Sequence, residues 1–285
     1  MSAAASSKRG RGKFYATHAT GIFVALLFLA PVVWTVLSSL KTSAEARQPP
    51  LPPWPMAGIS LENYAALNGF GAGLWLPAQN SLYVAGMTVI LSVIVGVLAG
   101  YGFSRFRFPF KNVLFMMILS TIMIPFQSIL TPMFLILTKL GLHNTLTGLV
   151  LVYVTLQLPF SIFMMRNAFD AVPLEIEEAA RMDGATNVSL LVRIMLPLVW
   201  PGIVTIALFA FLAAWNEFLA ALVLMTDQAK FTLPIMMTAL QSGRFGAIDW
   251  GAVQAGVTVM MIPCLILFLL LQRYYIRGLT AGAVK

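Results

Sequence analysis

The chain has 285 residues, of which 59% are hydrophobic and only 10% charged, with a formal net charge of +8 and a mean hydropathy of +0.87. That balance excludes a water-soluble domain, which carries roughly 25% charged residues, and marks a polytopic membrane protein. The basic residues flank apolar runs instead of forming a basic face interleaved with aromatics, which excludes nucleic acid as a partner. The single cysteine, Cys264, excludes a disulfide framework or a cysteine-built metal site within the chain.

A spanning helix needs about 20 apolar residues, and six stretches provide them: 20–40, 80–104, 112–138, 146–166, 198–225 and 251–272. The expected fold is therefore an all-α membrane protein, one transmembrane domain over residues 1–285. Lys8, Arg9, Arg11 and Lys13 ahead of the first stretch, with Ser43-Ala44-Glu45-Ala46 behind it, imitate a secretory signal. Gly21 to Leu40 is uncharged throughout and exceeds the usual signal core of about 7–15 residues, so it reads as an uncleaved first span. Six spans place both termini on one side. Of the 18 Lys and Arg residues, 13 fall on the side of the termini and of the loops around 105–111 and 166–193. The excess of positive charge makes that side cytoplasmic, and the location expected is a bacterial cytoplasmic (inner) membrane.

The first outer loop, 41–79, holds Pro49, Pro50, Pro52, Pro53 and Pro55 and cannot be one continuous helix. Leu61-Glu62-Asn63-Tyr64 is expected to start a short helix, with Trp54, Tyr64 and Trp75 suited to the lipid headgroup zone. In span two, Gly96 and Gly100 form a small-xxx-small pair that lets two helices approach closely, most simply within the chain. Span three carries Pro125, Gln127, Ser128, Thr131 and Pro132, and span four Gln157, Pro159 and Ser161. Prolines free carbonyls that neighbouring polar groups re-satisfy. These clusters either line a polar path, with Gln127 and Gln157 as its candidates, or join helices by hydrogen bonds.

The loop 170–197 between spans four and five reads as two short helices. Pro173 suits the first helical position. Glu175 and Glu177 fall in the first turn, where the helix dipole favours acids, and Arg181 stands four residues after Glu177 near the far end. Gly184 is the candidate left-handed cap, and Thr186 or Asn187 caps the second helix. Ala179 and Ala180 predict a low surface that another protein can approach, and Pro197 and Pro201 bend the chain toward span five. Span five holds the only acid within an apolar span, in Ala214-Trp215-Asn216-Glu217-Phe218. An intramembrane carboxylate is a functional candidate; substrate contact, proton relay and a hydrogen-bond hub are open readings for Asn216 and Glu217. The outer loop 226–250 contains Gly243, Arg244, Phe245 and Trp250, a set suited to a polar partner or to a tight re-entry turn. The Gly-rich tail beyond Arg273 reads as frayed.

The loop has a further property. Glu178-Ala179-Ala180, three residues, Gly184, nine residues, Ile194, one residue, Leu196-Pro197 resembles the signature loop of ABC-importer permease subunits at every fixed position. Asn80-Ser81-Leu82, Trp215-Asn216-Glu217-Phe218 and the tail Arg277 to Lys285 resemble the carbohydrate-uptake branch of that family, of the maltose-system type. The resemblance implies a type I importer fold in which this chain forms half of the pathway. It implies a second permease subunit, an ATPase dimer, an extracytoplasmic sugar-binding protein and a sugar substrate as partners. Carried over by position, Glu178, Ala179, Ala180, Asp183 and Gly184 would contact the ATPase. Gly243, Arg244, Phe245 and Trp250 would reach the binding protein, and Arg277, Gly278 and Lys285 would reach between the ATPase subunits. Asn216 and Glu217 would act as a hub or gate element, with most sugar contacts in the sister subunit.

Catalysis is not expected in this chain. It lacks G-x-x-x-x-G-K-[ST], H-E-x-x-H and G-x-S-x-G, so no cofactor is expected here and ATP and Mg would be bound by the partner ATPase. The rival reading is a secondary transporter driven by an ion gradient, which needs ionisable groups along its path. Only Glu217 is available for that role, and the signature loop would be left without one. His18 and His143 stand near opposite ends of the bundle, which leaves a membrane-embedded enzyme without a cluster to work with.

Overall fold

A computed structural model of the chain describes residues 3–46, 52–69, 71–242 and 248–281, with side chains between Thr17 and Gln272. Every regular element among these residues is helical. In chain order they are α1 (Ala3–Ser39), α2 (Ser43–Ala46), α3 (Glu62–Asn68), α4 (Trp75–Arg105), α5 (Lys111–Ser120), α6 (Phe126–Lys139), α7 (Leu146–Asp170) and α8 (Leu174–Met182). Next come α9 (Asn187–Ser189), a π-helical stretch (Leu190–Met195) and α10 (Leu196–Leu198), which run on as one helical segment. They are followed by α11 (Trp200–Asn216), α12 (Leu219–Leu224), α13 (Leu233–Gln241) and α14 (Trp250–Ala281). Among the described residues four helices are long and apolar enough to cross a membrane, and the number reaches six when each of two bent helix pairs counts as one span.

The bent pairs differ from the predicted spans 112–138 and 198–225. The first breaks between Met123 and Phe126 and turns by 105°. Ile124 precedes a proline and takes extended backbone, φ −78° and ψ 120°, because the proline ring clashes with a helical residue before it. In the second pair, Asn187–Leu198 and Trp200–Asn216 meet at 76°, where Pro197 and Pro201 were expected to bend the chain. Span five ends early: Glu217 is extended, with ψ 128°. At the chain's two ends α1 and α14 run further than the predicted spans, starting at Ala3 and continuing through Gly278 to Ala281.

The chain divides into two units, one within residues 1–70 and 239–261 and the other within 71–238 and 262–285. In the first, the short helix foreseen at Leu61 forms as α3 and ties the outer loop down. Asn63 is buried and donates to the carbonyls of Ser39 at 3.0 Å and Lys41 at 2.7 Å, closing the end of α1. Tyr64 hydroxyl and Ser39 Oγ lie 2.7 Å apart. Glu62 accepts from the Ser43 amide at 3.0 Å and Glu45 from the Met56 amide at 2.6 Å, which ties down the described residues on either side of 47–51.

In the second unit α4 and α7 pack along each other and α11 lies against both. The small residues of α4 make this possible. A Cβ at Gly96 would come 2.8 Å from Ser161 Cβ, and one at Gly100 would come 2.5 Å from Met165 Cβ and 2.9 Å from the Arg166 amide nitrogen. The Gly96/Gly100 pair therefore serves a contact within the chain. Gly100→Val is expected to force the two helices apart at a cost of about 1–3 kcal/mol. It would show as a lower melting temperature of the detergent-solubilised chain, whereas Gly102→Ala, which has open space around it, leaves that temperature unchanged.

Candidate coupling site and gate residues

The signature loop is built outward from the end of α7. Pro173 sits just outside α8, at its N-cap with φ −57° and ψ 140°, not at the first helical position. Glu175 lies in the first turn and is exposed; Glu177, in the same turn, is not. The C-terminus closes as expected of the glycine. Gly184 has φ +82°, its amide donates to the Arg181 carbonyl and the Ala185 amide donates to the Ala180 carbonyl, both at 3.0 Å. That pair of bonds is the Schellman arrangement, which only a residue free to take positive φ completes without strain. Thr186 then caps the next helix, its Oγ1 accepting from the Ser189 amide at 3.3 Å.

The two faces of α8 differ in chemistry. Outward stand Glu178, Ala179, Met182, Asp183 and Gly184, with Met182 at 88% exposure. Inward stand Glu177 and Ala180. Ala180 was expected to offer a low outer surface beside Ala179; instead it joins a buried cluster with Tyr101, Phe169, Leu190 and Met195. Burying side chains of the size of Leu190 and Met195 contributes about 1.5–3 kcal/mol each, and this holds the loop against the ends of α4 and α7.

Glu177 was paired by spacing with Arg181. Its partner is Arg105, the last residue of α4: the Arg105 Nε donates to Glu177 Oε1, and both side chains are buried, at 7% and 6% exposure. Arg181 turns elsewhere, its guanidinium close to the Tyr101 hydroxyl. Arg105 also donates from Nη2 to the Val172 carbonyl at 2.7 Å and from Nη1 to Ser104 Oγ at 3.3 Å. Ser104 Oγ donates in turn to Asp170 Oδ1 at 2.5 Å, and Arg166 pairs with Asp170 at 3.5 Å while stacking 4.1 Å over the Phe115 ring. Lys111 Nζ donates to the Ser104 and Phe106 carbonyls at 3.2 and 3.0 Å, closing the end of α4. In the sequence Arg105, Lys111 and Arg166 read only as the positive flank of the spans. Glu177 carries one further sequence signal: it stands three residues before Ala180, on the same helix face.

The gate candidates do not converge. Glu217 lies in the break between α11 and α12. Its Oε1 accepts from the Ala220 amide at 2.9 Å, and its Oε2 accepts from the Ala221 amide at 3.2 Å and from the Tyr153 hydroxyl at 2.6 Å. Tyr153, on α7, has no signal in the sequence that singles it out. Asn216 is exposed and donates to the Leu212 carbonyl at 2.8 Å. Gln157 is buried with its Nε2 unpartnered among the described residues, and Gln127 is exposed near the start of α6. Among the described residues no hydrogen bond joins Gln127, Gln157 and Glu217 to one another. The motif Asn80-Ser81 acquires a structural role: Asn80 donates to the carbonyls of Ala229 at 3.0 Å and Phe231 at 2.9 Å, and Ser81 Oγ accepts from the Leu233 amide at 2.8 Å. Of the outer-loop set, Trp250 opens α14 and is half-exposed, while Gly243, Arg244 and Phe245 lie outside the described residues. In the tail, Arg277 and Gly278 belong to α14 by their backbone, and Lys285 lies outside the described residues.

Comparison with known proteins gives three kinds of match. Residues 92–281 match the family model for the binding-protein-dependent transport system inner membrane component. A diacetylchitobiose uptake system permease protein of Streptomyces coelicolor is 33% identical, with 99% of this chain and 92% of the relative covered. A trehalose/maltose transport system permease protein of Thermococcus litoralis is 35% identical over 93% of this chain and 94% of the relative. Among solved structures, a bacterial ABC transporter involved in the import of the acidic polysaccharide alginate superposes with a TM-score of 0.78 and 26% identity, covering 94% of this chain and 98% of that one.

Proposed function

We propose, for a chain that belongs to the family of binding-protein-dependent transport system inner membrane components, that it is the permease subunit of an ATP-driven carbohydrate importer. The observation that carries this reading is α8: a helix bearing the Glu178-Ala179-Ala180 signature, clamped on its inner face by Arg105 and open on its outer face at Glu178, Ala179, Met182 and Asp183. A solvated amphipathic helix needs no buried ion pair to hold it; a helix that must receive a push does.

In this reading a second permease subunit completes the pathway, and an ATPase dimer binds ATP and Mg beneath it. An extracytoplasmic binding protein delivers a glycosidically linked sugar from the other side. ATP binding closes the ATPase dimer, α8 moves with it, and the spans shift between two arrangements open to opposite sides. Such coupling requires different contacts in the two states, and the outer face of α8 supplies them on this chain. Glu178 and Asp183 meet a basic ATPase surface, with Met182 filling a hydrophobic recess. Trp250 and the loop before it face the binding protein, and the tail from Arg277 to Lys285 reaches the ATPase. The cytoplasmic side carries both termini.

The test is co-purification in mild detergent at native expression. Recovery of one ATPase, one related permease and a binding protein supports the reading, and the ligand of that binding protein names the sugar. Recovery of this chain with no ATPase sinks it in favour of a gradient-driven carrier. Glu178→Lys sharpens the test. A like charge against a basic surface costs several kcal/mol at an interface, so uptake into proteoliposomes is expected to fall at least about tenfold. Membrane yield stays unchanged, because Glu178 is exposed. Unchanged uptake would remove Glu178 from the contact.

A further inference from the structure

Only Ala171, Val172 and Pro173 separate α7 from α8. A connection that short between two helices is a hinge: Pro173 fixes its own φ and keeps Val172 out of helical backbone, but the ψ of Pro173 and the torsions of Ala171 remain free to turn. Left alone, α8 could swing about Val172 without moving either long helix. Arg105, which belongs to neither α7 nor α8, prevents that swing. Its guanidinium grips the hinge itself through the Val172 carbonyl at 2.7 Å, and it grips α8 beyond the hinge through Glu177. The neighbouring Ser104 holds the other side of the hinge through Asp170, the last residue of α7, at 2.5 Å. Two consecutive residues at the end of α4 thus bind the connection before, within and after its bend. All three anchoring bonds are charge-assisted, two of them from the fork of one guanidinium, which fixes direction as well as distance.

We infer that Arg105 and Glu177 are positioning residues for transport: they make α8 a rigid extension of the packed α4–α7 pair, so that displacement of α8 by the ATPase becomes displacement of the spans. The inference rests on the permease reading above and extends it to two residues outside the signature motif. The pair stays closed throughout the transport cycle. A clasp that opened at each turnover would expose two desolvated charges each time and would release the hinge at the moment of load.

The experiment uses the whole complex in proteoliposomes and measures ATP hydrolysed per sugar imported. Glu177→Gln and Arg105→Gln are expected to keep the ATPase bound through the untouched outer face. They raise that ratio by at least about fivefold, the low end of allosteric coupling. A further variant, Arg105→Cys with Glu177→Cys in a Cys264→Ser background, guards against a fold defect. Uncross-linked, it is expected to be uncoupled in the same way. After treatment with a bis-methanethiosulfonate reagent, the ratio returns to within about twofold of the Cys264→Ser parent, and reducing agent removes the rescue. Two results overturn the inference: an unchanged ratio in the Gln variants, or a cross-link that arrests transport until it is reduced, which would show that the pair opens during the cycle. Failure of the unmutated chain to bind any ATPase would instead sink the permease reading itself, so the two failures are told apart.

Discussion

Glu177→Ala is expected to release α8 from the end of α4, whereas Glu178→Ala, one residue along, leaves it in place. The carboxylate of Glu177 is the counter-charge of a guanidinium that is itself buried. Removing it leaves Arg105 desolvated beside the Val172 carbonyl and Ser104, which cannot neutralise it. Breaking a buried pair from one side costs about 3–5 kcal/mol, enough to exceed the local stability of a nine-residue helix on a three-residue hinge. Glu178 is exposed and has no hydrogen-bond or ion-pair partner among the described residues. Hydrogen exchange reads the difference: amides between 171 and 186 are expected to exchange about a hundredfold faster or more in Glu177→Ala, and at the native rate in Glu178→Ala. The double replacement Arg105→Met with Glu177→Leu restores most of the protection, since it removes both charges and keeps the volume. Equal exchange in the two single variants would show that the apolar face alone holds α8.

This pair also marks where the sequence stops being readable. Glu175, Glu177 and Glu178 are three acids within four positions, and local rules assign all of them to the helix dipole or to an i,i+4 partner. What separates them is Arg105, 72 residues away in the chain, and no spacing rule reaches that far. The long helices were legible for the opposite reason. α4 and α7 are continuous apolar runs, and their length alone fixes what they are. Proline was ambiguous in between. Pro132 and Pro159 sit inside α6 and α7 without ending them, while Pro125 stands where the helix turns by 105°. A proline in a membrane helix frees a carbonyl in every case. Whether the helix kinks or stops depends on which neighbours re-satisfy the backbone, and those neighbours come from other spans. Gly184 was legible down to its backbone conformation because a left-handed cap is decided by the residue that occupies it. Gly96 and Gly100 were legible as a close approach, though not as one with Ser161 and Met165.

The same contrast of local and distant partners governs Glu217, and Glu217→Ala is expected to give the largest functional loss in the spans. The sequence located the acid; the structure supplies its donors. Two are local, the Ala220 and Ala221 amides at the start of α12, and one is distant, the Tyr153 hydroxyl on α7. The carboxylate stands at the break between α11 and α12, where those amides have no helical carbonyl to bond. Alanine removes the acceptor of all three donors, at about 1–3 kcal/mol for each that is left buried. Uptake is expected to fall to background, with a lower melting temperature in detergent. Tyr153→Phe removes one donor and leaves the carboxylate with both amides, so its loss is smaller. Glu217→Gln separates the two chemical roles an intramembrane acid can have. Its side-chain oxygen, in place of Oε1, still accepts from the Ala220 amide, and the Tyr153 hydroxyl can rotate to accept from the new amino group in place of Oε2, so the hub survives with only the Ala221 amide losing its acceptor. A proton relay does not, because an amide carries no exchangeable carboxyl proton at any accessible pH. Retained uptake in Glu217→Gln beside its loss in Glu217→Ala makes the residue a hub that sets the angle between α11 and α12. Equal loss in both, with the Gln chain still folded and still bound to its ATPase, would make proton transfer part of the cycle, and ATP would no longer be the only source of drive.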